Sequence, residues 1–162
     1  ELLGLRVGDL DGDRVHIGRA INRQNEETSG KNENAIRTVV LHPLAVAEIR
    51  AQLQQRTQEE ERPLRDDDPL FLLSNQQSLY NYWRVYQRCN GIAPPVSLYE
   101  LRHTFVSMIE DAVPPAQLRR IVGHSKSMDT YGWYSHAVTG RDDATAQAVS
   151  GVLSEYAPGP EK

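Results

Sequence analysis

The sequence predicts an α+β domain, mostly helical, with a small antiparallel β-sheet near its N-terminus. Strand-like alternation of apolar and polar residues is confined to the stretch before Pro43, and helical spacing dominates after it. Proline and glycine punctuate the helical part at regular places, and no internal repeat disturbs the order. A chain of 162 residues buries one substantial core, so one domain is expected over residues 1–157, with a disordered tail at 158–162.

Leu2, Leu3 and Leu5 read as the end of a helix stopped near Gly4 and Gly8. Arg14 to Asn22 alternates as a half-buried strand, and the β-branched run Ile36 to Leu41 pairs with it as a hairpin. Between them, Arg23 to Asn34 is polar and holds the turn signal Ser29-Gly30. Pro43 opens a helix to about Gln55, with Leu44, Ala47, Ile49 and Leu53 as its apolar face. A loop follows to Pro69, then a short buried piece, Leu70 to Leu73. Ser78 to Asn90 carries Leu79, Tyr82, Trp83 and Tyr86 at helical spacing and ends at Gly91. Ser97-Leu98-Tyr99-Glu100 is a capping box, and Leu98, Leu101, Phe105 and Met108 form a stripe behind it. Pro114-Pro115 starts another helix, with Leu118, Ile121 and Val122 inward and Gly123 at its end. Asp142 to Tyr156 is the last helix.

Composition excludes more than it identifies. No apolar run approaches the ~20 residues of a membrane span, and no signal peptide is visible at Glu1 to Leu5. The lone Cys89 has no intramolecular disulfide partner, as expected in a reducing cytoplasm. The histidines show neither HExxH nor Cys/His spacing, so neither a metal nor another cofactor is expected. A formal charge of −4 opposes binding to phosphates. Its distribution weakens that objection. Acids crowd into Glu59–Glu61 and Asp66–Asp68, read as a solvated loop and helix end. From Leu79 to His136 the cations Arg84, Arg88, Arg102, Arg119, Arg120 and Lys126 outnumber the acids.

The candidate chemistry lies in four segments. Leu98-Tyr99-Glu100-Leu101-Arg102-His103-Thr104 sets an arginine beside an apolar stripe. There a planar guanidinium can grip two phosphate oxygens, or equally form an ion pair with Glu110 or Asp111. Gly123-His124-Ser125 puts a histidine where a helix stops, suited to donating to a phosphate oxygen or simply to facing the helix dipole. Met128 to His136 holds Tyr131 and Tyr134, at i and i+3. Gly30-Lys31 precedes Arg37-Thr38-Val39, with the lysine in a turn; it is a solvated loop lysine or a proton donor. It is not a P-loop lysine, because Asn32 stands where Ser or Thr is required.

In their order along the chain, the lysine segment first, the four segments resemble the catalytic boxes of the tyrosine recombinases, the phage-type integrases, and Glu1 to Leu5 matches the stretch after the first box. The resemblance implies the mostly helical catalytic fold of that family and a DNA-cleaving activity, used to integrate or excise a mobile element. It gives Arg102 the scissile phosphate, His124 and Tyr99 hydrogen bonds to its oxygens, and Lys31 the leaving 5′-oxygen. Tyr134 is the implied nucleophile, since Tyr134-Ser135-His136 has the family's tyrosine-x-histidine form. Tyr99 departs from the pattern, standing where a histidine is usual. Glu1, His103 and His136 fall to supporting roles, and Arg37 and Lys126 to DNA contact. The family's first arginine would stand three residues before Glu1, so the 162-residue stretch alone is expected to be nearly inactive.

The implied partners are double-stranded attachment sites, with a tetramer on DNA, a monomer as the isolated stretch, and no membrane. The implied location is the cytoplasm, at a bacterial or phage nucleoid. Two other readings remain open. One is a recombinase-like module that holds DNA without cutting it. The other is a helix-turn-helix regulator built on Pro114 to Tyr134, which leaves the upstream boxes unexplained.

Overall fold

A computed structural model describes residues 1–29, 35–123 and 142–156. Lys31, His124, Lys126, Tyr131, Tyr134, His136 and the expected tail lie outside the described residues. The α+β expectation holds: a small antiparallel sheet near the N-terminus precedes a set of helices.

The chain opens not with a helix end but with 3₁₀ turns at Leu2–Gly4 and Val7–Asp9. Strand β1 (Leu10–Asp11) pairs with β2 (Arg14–Ile17), and β2 pairs with β5 (Arg37–Val40), all antiparallel. Gly12, at φ +63°, makes the tight turn between the first two. The strand expected over Arg14 to Asn22 stops at Ile17. Beyond it Arg19 reaches back to Asp9, 2.6 Å away, and to the Gly4 carbonyl. Ala20–Ile21 (β3) then pairs with Glu27–Thr28 (β4), inside the stretch expected to be a plain polar loop. Asn22 closes that hairpin by accepting from the backbone N–H groups of Gln24 and Glu26.

Helix α1 runs over Pro43–Glu59, a full turn past the expected end. Arg56 explains the extension: its guanidinium is buried and donates to the Pro69 carbonyl and to Glu60. The inward face also differs from expectation. Leu44 is exposed, whereas Ala45, Val46, Ile49, Gln52 and Leu53 turn inward, and Gln52 donates to the Leu70 carbonyl. Apolarity alone misplaced the face because polar Gln52 and Arg56 satisfy backbone carbonyls there. In the acidic loop, Asp68 is buried rather than solvated. Arg62 grips both its oxygens, at 2.7 and 3.1 Å, and holds its carboxyl well below the ordinary range. Leu70 is fully buried but Leu72 is exposed, so the expected buried piece is one residue deep.

Helix α2 (Gln76–Cys89) starts at its N-cap, Asn75, earlier than expected. Its inward side is Leu79, Trp83 and Gln87; Tyr82 and Tyr86 are exposed. Trp83 and Gln87 both bond the backbone of Val96, which fixes the approach to α3 (Leu98–Ile109). The capping box of α3 forms as expected between Ser97 and Glu100, and such a cap contributes about 1 kcal/mol.

The stripe of α3 is rotated from the predicted one. Leu98, Arg102, Phe105 and Ile109 face inward, and Leu101 is 45% exposed. These positions step i, i+4, i+7, i+11, so an arginine occupies a core-facing slot. Helix α4 (Pro115–Val122) ends at Gly123, whose φ of +71° is the left-handed cap that glycine favours. Helix α5 (Asp142–Tyr156) lies against α3 and β5, with Asp143 paired to Arg14. Val15, Leu70, Ile109, Val113 and Val122 are the buried apolar residues at the centre. Among the described residues, no helix is long and apolar enough to cross a membrane.

Candidate active site at the end of helix α4

The last carbonyls of a helix lack intrahelical partners and carry the negative end of its dipole. In α4, two arginines from different elements take adjacent ones. Arg37, at the start of β5, donates through Nε to the Ile121 carbonyl at 2.9 Å. Arg102, from the inward face of α3, donates through Nη2 to the Val122 carbonyl.

The two guanidinium groups are otherwise unlike. Arg37 is only 6% exposed and almost fully engaged. Its Nη1 and Nη2 hold the two Glu1 oxygens at 2.9 and 3.0 Å, and Nη1 also reaches the Ala35 carbonyl. Arg102 is half-buried; its Nε is shielded from solvent and has no hydrogen-bond partner among the described residues. The ion pair with Glu110 or Asp111 left open by the sequence is not formed; the carbonyl of Val122 takes its place.

Glu1 completes the cluster. The Arg37 guanidinium holds the Glu1 carboxyl below its ordinary value of 4.5, against burial, which raises it; Arg102 adds a smaller pull in the same direction. The folded-state pKa therefore lies below the unfolded one. The pair's stabilisation is complete above the unfolded value and is lost as pH falls through the depressed folded one. Thermal unfolding of the wild type and Glu1→Gln should differ most at neutral pH and converge in acid. A difference that does not change with pH would contradict the pairing.

Arg37, expected at the DNA, is thus placed inside the domain. Tyr99 is 62% exposed, and its ring meets the edge of His103 at 4.7 Å. His103 is exposed rather than packed. The described residues bring together Glu1, Arg37 and Arg102, and set Gly123, the residue before His124, against Arg37. The sequence reading missed that Gly123 matters beyond ending a helix: an added Cβ would lie 2.7 Å from Arg37 Nη1. The available signal was an arginine at an inward slot of a strand, since Arg37 shares the face of buried Val15 through the Ile17–Arg37 and Val15–Val39 pairs. A mainly apolar pocket of about 250 Å³ is lined by Val39, Leu41, Phe105, Ile121, Val149 and Leu153 among others, with Arg120 and His42 also on its wall. Among the described residues, no group of acids, histidines or cysteines is arranged to hold a metal.

The α+β domain thus gathers two guanidinium groups at one helix end, one of them with a buried Nε that has no partner among the described residues. The model of the phage integrase family matches residues 1–141, and the chain belongs to that family, the tyrosine recombinases. The family acts on DNA in site-specific recombination. No curated protein and no solved structure matches the chain.

Proposed function

We propose that this domain cuts and rejoins DNA strands through a 3′-phosphotyrosyl intermediate, in the integration or excision of a mobile element. The observation that carries the reading is Arg102. One donor is anchored on Val122, while the buried Nε has no partner among the described residues. A buried, unmatched donor costs about 1–3 kcal/mol, and a phosphodiester oxygen would remove that cost.

In the proposed reaction the Tyr134 hydroxyl gives its proton to solvent as its oxygen attacks phosphorus, the bond to the 5′-oxygen breaks, and Lys31 gives that oxygen a proton. Arg102 and His124 bind the non-bridging oxygens as charge builds. Tyr99, exposed near the N-terminus of α3, adds a hydrogen bond. The phosphotyrosyl link keeps the bond energy, so religation is the same step reversed with a new 5′-hydroxyl. Lys126 and the exposed Arg84 and Arg88 of α2 belong to the DNA-facing surface. The working assembly is four protomers on two duplexes, with the segment after Gly140 exchanged between neighbours, in the cytoplasm.

The test is to incubate the full-length protein with a nicked duplex carrying its attachment site and to resolve the products under denaturing conditions. A covalent protein–DNA adduct is expected. DNA binding without any adduct would replace this reading with the non-cutting module, which the phenol at Tyr99 in place of a histidine favours.

A further inference from the structure

We infer that Arg37 is a positioning residue: it sets where the end of α4, and through it Arg102, stands relative to β5 and Glu1, and it does not touch DNA. The inference rests on the proposed role of Arg102 at a phosphate. Three facts support it. The Arg37 side chain is 6% exposed, too enclosed for a phosphate to reach. Its donors are already directed to Ile121, Glu1 and Ala35, each on a different segment of the site. Its neighbour along α4 is the carbonyl that anchors Arg102, so a shift of Arg37 is passed on through one peptide unit.

Gly123 belongs to the same device. A side chain there would meet Arg37 Nη1 at 2.7 Å and Cζ at 2.8 Å, on a backbone already at φ +71°. The strand bearing Arg37 also follows Lys31 in the sequence. One guanidinium therefore ties the strand that follows Lys31, the acid of the first segment and the helix end before His124.

The experiment uses the 162-residue chain with ¹⁵N-labelled arginine and follows the Nε–H resonance of Arg102 in Arg37→Gln, Arg37→Lys and Glu1→Gln. Each change should move that resonance beyond its linewidth. Lysine should not restore it, because an ammonium cannot bridge Ile121 and both Glu1 oxygens at once. Binding to a random-sequence duplex should keep the wild-type salt dependence in all three. An unmoved Arg102 resonance in folded Arg37→Gln would overturn the inference. So would a salt slope shallower by about 0.9, the mark of one lost phosphate contact. If Arg37→Gln does not fold, Glu1→Gln decides by the same readouts, since it removes the charge of the pair and keeps its shape. Orthophosphate tests the underlying reading separately. If it leaves the wild-type Arg102 resonance in place, the phosphate clamp falls, while the variant shifts still decide the role of Arg37.

Discussion

Tyr134→Phe in the full-length protein is expected to abolish the covalent adduct with attachment-site DNA and to leave duplex binding in place. The substitution deletes one oxygen, the atom that would bond to phosphorus, and keeps the ring. No other group at that position can take over, because a phenyl ring has no nucleophile to activate. The expected loss is therefore complete rather than partial. The readout is the adduct band under denaturing conditions, beside a non-denaturing binding assay on the same duplex. An adduct that survives moves the nucleophile to Tyr131, three residues earlier in the same segment, and Tyr131→Phe would then remove it.

Arg102→Gln is expected to lower single-turnover strand cleavage by about 10²–10³-fold, the usual consequence of removing one charge-stabilising donor from an acyl- or phosphoryl-transfer centre. The glutamine amide nitrogen ends where Nε stands, two bonds short of the Nη2 that donates to the Val122 carbonyl, so that anchor is lost with the charge. Thermal unfolding measured beside cleavage separates the cost to the fold from the loss of rate. Arg102→Lys should recover only part of the rate, because a point charge cannot replace a fork that binds a carbonyl and a phosphate together. Wild-type cleavage rates in Arg102→Gln would remove this residue from the phosphate.

Residue patterns made some of this readable and left some hidden. The order of strands and helices, the capping box at Ser97 and the glycine stop at Gly123 were legible because each rests on local backbone chemistry. The rotation of α3 was not. Leu101 is the more apolar residue, yet Arg102 takes the inward slot because a carbonyl at the end of α4 needs a donor. The same cause hid the inward face of α1, where Gln52 and Arg56 serve carbonyls near Leu70. It also hid the buried Asp68, whose charge is met by Arg62. In each case the deciding partner is a polar group outside the element's own repeat, six residues away for Asp68 and further for the others, which periodicity does not register.

The site residues divide in the same way. Arg102 could be singled out from its motif, and the structure adds its inward position and its bond to the Val122 carbonyl. Arg37 was assigned to DNA through the resemblance alone, and its bonds to Glu1 and to the Ile121 carbonyl could not be read from the sequence.

The bidentate pair between Arg37 and Glu1 has a consequence for how DNA is captured. Seen from beyond about 8 Å of salt solution, a paired cation and anion cancel, so of the two guanidinium groups described at the end of α4 that of Arg37 adds little long-range field. On a chain of net charge −4, attraction of a duplex from a distance then rests on other basic surfaces. Encounter rate is expected to follow those surfaces, the exposed Arg84 and Arg88 of α2 among them. Changing those surfaces should alter how often a site is found, without altering how fast a bound strand is cut.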